Sequence, residues 1–168
     1  MLTAATAAAL RVSRSAAEYA KRGEAVKAIS AQMIEDENGR RQFLSEPLDG
    51  RSVGWLMAQA PSGLLPFTAA LAAMEWRNWR HVAKRRVIGA NVLSGVSQLP
   101  TRPAAVLLVG GAAGDDELVR TVSDELGHDL TVGRGNVGGV LGHRFAVAYG
   151  LVLTAITGAG TGAARREG

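Results

Sequence analysis

The sequence predicts a mixed α/β fold: a helical N-terminal region at residues 1–99, a strand–helix–strand–helix unit at 103–156 and a flexible tail at 157–168. Two observations lead to this prediction. Apolar residues in the first region recur mostly at three- to four-residue steps, the period of an amphipathic helix. Further along, residues 104–109 form a continuous apolar run that ends in a glycine turn, as expected of a strand buried on both faces.

The first region divides into two helical blocks. The spacing of apolar residues predicts helix over much of residues 2–45, with Asn38-Gly39 as a stop signal, and again over about 66–98. Two prolines in residues 99–103 indicate a linker, because proline lacks an N–H donor and disfavours helix at the preceding residue.

The second region alternates strands and helices. The predicted strand 104–109 is followed by a turn and a helix at 115–126, and the acidic first turn of that helix complements its dipole. A short strand at 130–132 precedes a glycine-rich loop and a final helix at 144–156. We expect this helix to pack its small residues against the sheet: Ala146, Ala148 and Gly150.

Composition limits the classes of protein. The chain has 168 residues and no cysteine, which allows one domain with its own core and excludes disulfides and Cys-based zinc clusters. The N-terminus lacks the basic segment of a secretory signal, so we expect a cytoplasmic protein, with membrane association as an alternative. The uncharged stretches 52–74 and 145–164 are interpreted as buried segments, because neither has the apolar density of a spanning helix.

The glycine turn does not match the common phosphate-binding motifs. Aligning Gly111 and Gly114 with a dinucleotide fingerprint puts Val109 at its first glycine, and a P-loop is excluded because no lysine follows Lys84. Three carboxylates at the start of the next helix would also repel a phosphate. A neutral, flat group such as a nucleoside fits this bare backbone better.

The same residues carry a family resemblance. The strand Val106-Leu107-Leu108-Val109-Gly110-Gly111, the Leu126-Gly127 pair before the second strand, and the helix Phe145-Ala146-Val147-Ala148-Tyr149-Gly150-Leu151 resemble the last unit of the actin-like ATPase superfamily. The superfamily includes heat-shock chaperone ATPases and the bacterial actin homologues of cell division and pilus assembly, and the last two are the most similar. The resemblance covers residues 103–156 and implies an α/β unit of actin-like ATPase type.

This resemblance implies a nucleotide site of limited scope. In that superfamily the Gly-Gly turn contacts the adenosine part of ATP, so the implied contact residues are Gly110, Gly111 and Ala112, with ATP or ADP as cofactor. Both phosphate loops of the superfamily are missing, since residues 1–45 contain no Asp-x-Gly and Leu48-Asp49-Gly50 follows a proline. The resemblance therefore implies weak adenine-nucleotide binding, no ATP hydrolysis by this chain alone, and a role in protein assembly.

An aromatic and basic stretch supports other functions. It contains Trp76, Arg77, Trp79, Arg80, Lys84, Arg85 and Arg86. Such a stretch could bind nucleic acid, a membrane surface or a protein partner, or it could pack its tryptophans on a neighbouring helix. Two alternatives to the ATPase-like interpretation therefore stay open: a basic nucleic-acid-binding module, and a helical scaffold or homo-oligomer without nucleotide.

No residue pattern indicates a metal site or a catalytic centre. His81, His128 and His143 share no helical spacing and no convergent carboxylate, so they are interpreted as surface or helix-terminal residues. Glu35-Asp36-Glu37 is interpreted as a solvated helix end.

Overall fold

The computed structural model describes residues 1–163, with side chains up to residue 157. The chain is a mixed α/β protein, as predicted. It separates into two compact units, one comprising Met1–Val92 and the other beginning at Leu93. No helix among the described residues is long and apolar enough to cross a bilayer.

Two short helices open the first unit, α1 (Leu2–Leu10) and α2 (Arg14–Ala20). Ser13 caps α2, since its hydroxyl accepts a hydrogen bond from the Ala16 backbone N–H at 3.2 Å. A polar cluster joins the two helices: Glu18 accepts from the Thr3 hydroxyl and from the Lys21 ammonium, each at 2.7 Å.

A five-stranded antiparallel sheet follows, in the order β3-β2-β1-β4-β5. Its strands are β1 (Ala25–Ser30), β2 (Met33–Glu35), β3 (Arg41–Phe43), β4 (Leu56–Ala60) and β5 (Gly63–Thr68). The prediction of helix over 2–45 is therefore wrong from Ala25 onward, and the prediction of a helical region over 1–99 is wrong for residues 25–68, which form the sheet.

The physical reason for this error lies in the turn between β2 and β3. The Asp36 carboxylate accepts the backbone N–H groups of Asn38 and Arg40, both at 2.8 Å, and Gly39 has φ +78°. These groups close a tight hairpin. Asn38-Gly39 thus joins two strands and does not end a helix. The sequence pattern did not distinguish the two, because a short apolar run with irregular spacing is compatible with a helix and with a strand.

The remaining helices of the first region follow the sheet. They are α3 (Ala73–Lys84), a π-helical turn at Arg85–Gly89, and α4 (Ala90–Ser97). The second helical block begins later than the predicted residue 66, because 63–68 belong to β5. The core forms where Trp76 of α3 is buried against Leu56, Ala58 and Phe67 of the sheet.

The second unit contains strands and helices near their predicted positions. They are β6 (Ala105–Leu108), α5 (Asp116–Leu126), β7 (Thr131–Arg134) and α6 (Ala146–Ala163). β6 and β7 pair in parallel, with Leu107 opposite Gly133. One side of α5 is buried through Leu118, Val122 and Leu126.

Three details of this unit differ from the predictions. β6 is not buried on both faces, since Leu107 is 66% exposed and Val109, just after the strand, is 50% exposed. The small residues of α6 do not pack as expected: Ala148 is exposed, and a Cβ on Gly150 would meet nothing within 4 Å. α6 also continues to Ala163, so the predicted tail is helical over 157–163, and its remainder lies outside the described residues.

Candidate functional site

The candidate site is the corner where β6 turns into α5. Gly110 has φ +91° and ψ 178°, a conformation that only glycine adopts without strain. A short 3-10 turn, Gly111–Gly114, follows, and Asp115 then caps α5 by accepting the Leu118 backbone N–H at 3.2 Å. Gly110 is thus required by the sharp reversal of the backbone.

The outer surface of this corner is open. A Cβ added to Gly110 or Gly111 would meet no atom within 4 Å, and Gly111 and Ala112 are exposed. The next residue, Ala113, is only 1% exposed and anchors the turn. The corner therefore presents bare backbone on a fixed support, as a flat neutral group needs for close approach.

Hydrogen bonds from later segments fix the corner. The Gly110 N–H donates to the His143 carbonyl at 2.6 Å, and the Gly135 N–H donates to the Leu108 carbonyl at 3.0 Å. Arg134 donates from Nε to the Ala113 carbonyl at 2.5 Å. The backbone at the corner is therefore held from two directions, by the end of β7 and by the loop before α6.

The charges next to the corner disfavour a phosphate. The Arg134 guanidinium pairs with the Asp116 carboxylate and lowers the pKa of Asp116. This carboxylate therefore stays ionised at neutral pH, at the start of a helix that also carries Asp115 and Glu117. A helix N-terminus occupied by its own anions is a poor phosphate site, so the corner suits the nucleoside part of a nucleotide.

His143 is the residue of this corner that sequence reasoning missed. Its contribution comes from its backbone carbonyl, for which no residue type gives a signal. Its ring also lies against the turn, since a Cβ on Gly114 would be 3.0 Å from Nε2. That Nε2 is buried and has no hydrogen-bond partner among the described residues.

Comparison with known proteins places the chain in a family. The model of the diol dehydratase reactivase ATPase-like domain matches residues 1–155. The chain belongs to this family. Because the family is part of the actin-like ATPase superfamily, the resemblance noted at 103–156 is confirmed at the level of the superfamily and extends to the first region. The matched family is the reactivases and not the cell-division or pilus-assembly branch.

Curated relatives of this reactivase-family chain are 36% identical to it over 144 residues, 82% of the chain. They are the propanediol dehydratase-reactivating factor large subunits of Citrobacter freundii and Salmonella typhimurium and the diol dehydratase-reactivating factor large subunit of Klebsiella michiganensis. The chain spans 24% of the length of each of these relatives.

Two solved structures resemble the fold. A diol dehydratase-reactivating factor in nucleotide-free form has a TM-score of 0.72 at 35% identity, over 84% of this chain and 24% of that chain. A glycerol dehydratase reactivase has a TM-score of 0.73 at 30% identity, over 86% of this chain and 25% of that chain.

Part of the aromatic and basic stretch is interior in this reactivase-family chain. Trp76 and Lys84 are both 0% exposed, and Arg80 is 2% exposed. Trp79 is half-buried and stacks on Trp76 with 5.4 Å between ring centroids. Of the predicted contact residues only Arg77, Arg85 and Arg86 are exposed, so the seven do not form one surface.

The buried arginine serves the fold. Arg80 donates to both carboxylate oxygens of Glu37, at 2.5 and 2.9 Å, and also to the Gly23 carbonyl. Glu37 in turn accepts the Ala25 backbone N–H at 2.8 Å. The interpretation of residues 35–37 as a solvated helix end is therefore wrong, because Glu37 is the interior partner of Arg80.

These findings correct two alternatives. Membership in a reactivase ATPase-like family does not support a helical scaffold without nucleotide or a nucleic-acid-binding module, and the burial of Trp76, Arg80 and Lys84 removes the surface that the second alternative needs. A membrane partner is likewise not supported. Among the described residues, no group of acidic or histidine side chains is arranged to hold a metal ion.

A surface cavity of about 290 Å³ lies in the first unit, and none of its lining residues belongs to the glycine corner. It is lined by Tyr19, Arg22, Gln59, Ala60, Pro61, Gly63 and Leu64. Its one cation, Arg22, already pairs with Glu18 at 3.0 Å, so the cavity offers no unpaired charge to a ligand.

Proposed function

We propose that this chain is part of the ATPase-like region of a dehydratase-reactivating factor, and that its glycine corner contacts the adenosine part of ATP or ADP. The observation that carries the proposal is the open backbone at Gly110, Gly111 and Ala112, on a support that Ala113 and His143 hold in place. Membership in a family described as ATPase-like supports the same ligand.

The corner has a limited part in handling the nucleotide. Gly110 and Gly111 allow a nucleoside to approach the main chain, while Asp115 and Asp116 keep phosphate groups away from the start of α5. A bound nucleotide would supply a phosphoanhydride bond, and groups outside this corner would have to hold its phosphates. The chain on its own therefore binds weakly and does not hydrolyse ATP.

The proposed partner is a diol or glycerol dehydratase. The relatives are named as reactivating factors of such enzymes, and the matched segment is about a quarter of those factors. A factor of this kind acts on another protein, which agrees with the predicted role in assembly.

The test compares two glycines whose added Cβ meets nothing within 4 Å, Gly111 at the corner and Gly50 in the first unit. Gly111→Val places a side chain on the open backbone without strain in the fold, and Gly50→Val is its matched control. Nucleotide at ten times its Kd stabilises the folded state by about 1.4 kcal/mol.

We expect ADP to raise the melting temperatures of the wild-type chain and of the Gly50→Val variant. The melting temperature of the Gly111→Val variant should not change on addition of ADP. NMR shifts of the wild-type chain on ADP addition should centre on residues 110–112. Nucleotide-dependent shifts located elsewhere, or an equal response of both variants, would contradict the proposal.

A further inference from the structure

The loop before α6, residues 136–142, is closed on itself by one side chain. Asn136 donates from Nδ2 to the Gly139 carbonyl at 2.6 Å, and its Oδ1 accepts the Gly142 backbone N–H at 2.9 Å. The Val137 N–H also donates to the Gly142 carbonyl, at 3.3 Å. The loop is therefore a closed unit, and it ends directly before His143.

His143 contacts the glycine corner in two ways. Its carbonyl accepts the Gly110 backbone N–H at 2.6 Å. Its ring occupies the space that a side chain on Gly114 would need, since a Cβ there would lie 3.0 Å from Nε2 and 3.7 Å from Cε1. Gly110 precedes the 3-10 turn of the corner and Gly114 ends it, so one residue holds the corner at both ends.

The ring has a polar atom without a partner while it lies on Gly114. Nε2 of His143 is buried and has no hydrogen-bond partner in the part of the chain that the structure describes. A ring nitrogen is a hydrogen-bond donor or acceptor, and burial without a partner costs it the hydrogen bond that water would supply. This cost opposes the Gly110 hydrogen bond and the packing of the ring. The ring can therefore leave the turn more easily than a fully satisfied side chain could.

We propose that His143 is a positioning residue for the glycine corner, and that its unpaired Nε2 makes its hold on the corner reversible. With the ring on Gly114, the His143 carbonyl holds the Gly110 N–H and the backbone of the corner is fixed. When the ring leaves, this hydrogen bond is lost and residues 110–112 become mobile. A nucleotide that binds only the fixed corner shifts the population toward it. The inference takes its ligand from the proposed function, whereas the two contacts of His143 do not depend on that ligand.

The experiment changes each side of the contact between the ring and the turn. Gly114→Ala adds a Cβ at 3.0 Å from Nε2, so the ring must move, and Gly150→Ala in the same unit adds a Cβ that meets nothing within 4 Å. His143→Phe keeps a planar ring without the polar atom, and His128→Phe, at an exposed position, is its control. NMR measures hydrogen exchange of the Gly110 amide without nucleotide, and an ADP titration gives the Kd.

We expect the Gly110 amide to exchange at least about tenfold faster in the Gly114→Ala variant than in wild type, because its acceptor is displaced. The Kd of this variant for ADP should rise at least about fivefold, because only a fraction of the molecules has a fixed corner. In the His143→Phe variant the same amide should exchange at least about fivefold more slowly, since the unpaired nitrogen is gone. Both control variants should match wild type.

The amide of Val122 distinguishes positioning from a general loss of stability. Val122 is fully buried on α5, so exchange of its amide reports unfolding of the unit. A positioning role changes exchange at Gly110 and leaves exchange at Val122 within about twofold of wild type. Equal changes at the two amides would overturn the proposal.

Two further results would overturn the proposal. One is an unchanged exchange rate of the Gly110 amide in the Gly114→Ala variant. The other is faster exchange in the His143→Phe variant, because Nε2 would then have a partner that strengthens the contact. If the Gly114→Ala variant does not fold, the comparison of His143→Phe with His128→Phe decides alone. Absence of ADP binding to the wild-type chain would contradict the proposed function, while the exchange rates without nucleotide would still decide the role of His143.

Discussion

The two units of this chain form their hydrophobic cores from different kinds of residue. The first buries Trp76 completely between α3 and the sheet, with Phe67 edge-on to it at 5.3 Å. The buried residues described in the second unit are all aliphatic, three of them on one side of α5, and Leu107 is largely exposed on the opposite face of its sheet. Aromatic residues bury the largest area per side chain, so the first unit closes its core with few residues.

Strand direction explains much of the difference. The five strands of the first unit are antiparallel, and such a sheet can be stable with one face in water. β6 and β7 are parallel, an arrangement that occurs almost only when both faces are covered. The first unit therefore has a type of sheet that can be stable with one face in water. The second unit has a type of sheet that is usually covered on both faces, and one of its faces is exposed.

The largest expected effect is on the unfolding free energy of the first unit, through its buried ion pair between Arg80 and Glu37. Arg80→Ala leaves Glu37 as an uncompensated charge in the interior, which should cost about 3–5 kcal/mol of unfolding free energy. Arg77→Ala on the same helix removes only an exposed contact to Asn38 and should cost less than about 1 kcal/mol. Urea melts followed by tryptophan fluorescence measure both, and similar costs for the two variants would show that the pair is not interior.

The next effect compares the two faces of the second unit. Leu118 is 5% exposed on the covered side, so Leu118→Ala should cost about 2–5 kcal/mol. Leu107→Ala, at a side chain on the exposed side of β6, should change the stability of the isolated chain by no more than about 0.5 kcal/mol. Amide hydrogen exchange of residues 105–134 measures both. A cost for Leu107→Ala as large as that for Leu118→Ala would mean that the Leu107 side of β6 is covered.

The smallest effect concerns the polar cluster between α1 and α2. The Lys21 hydrogen bond and then that of Thr3 lower the pKa of Glu18 to about 2 from its usual 4.5. Since the folded-state pKa lies below the unfolded one, the contribution is present above about pH 4.5 and is lost as the pH falls toward 2. Solvent exposure limits it to about 1 kcal/mol or less.

Glu18→Gln should therefore flatten the fall of melting temperature between pH 4.5 and 2 relative to wild type. Thr3→Val removes one hydrogen bond and should raise the pKa of Glu18, which an NMR titration of its carboxyl measures directly. Identical pH profiles for wild type and Glu18→Gln would exclude this cluster as a source of stability.

Sequence reasoning succeeded where signals are local. The apolar run before Gly110 and the acidic start at Asp115 located β6 and α5 to within a residue or two. The same residues carried the resemblance that the family match confirms at superfamily level. The nucleotide contact at Gly110, Gly111 and Ala112, the cytoplasmic location and homo-oligomerisation stay predictions.

The errors arose where distant residues decide the structure. Glu37 and Arg80 are 43 positions apart, so nothing near either residue shows that they meet in the interior. Short apolar runs such as those of β1 to β3 fit the period of a helix as well as that of a strand, and antiparallel pairing across the Asp36 turn decides between them.

The order of strands and helices in the second region, the glycine that its corner requires and the superfamily all follow from local sequence signals. The burial of charges, the pairing of strands and the uncovered face of β6 follow from contacts between distant parts of the chain. The physical reason is range: turns, caps and helix dipoles act over a few residues, whereas burial depends on neighbours that chain folding brings together.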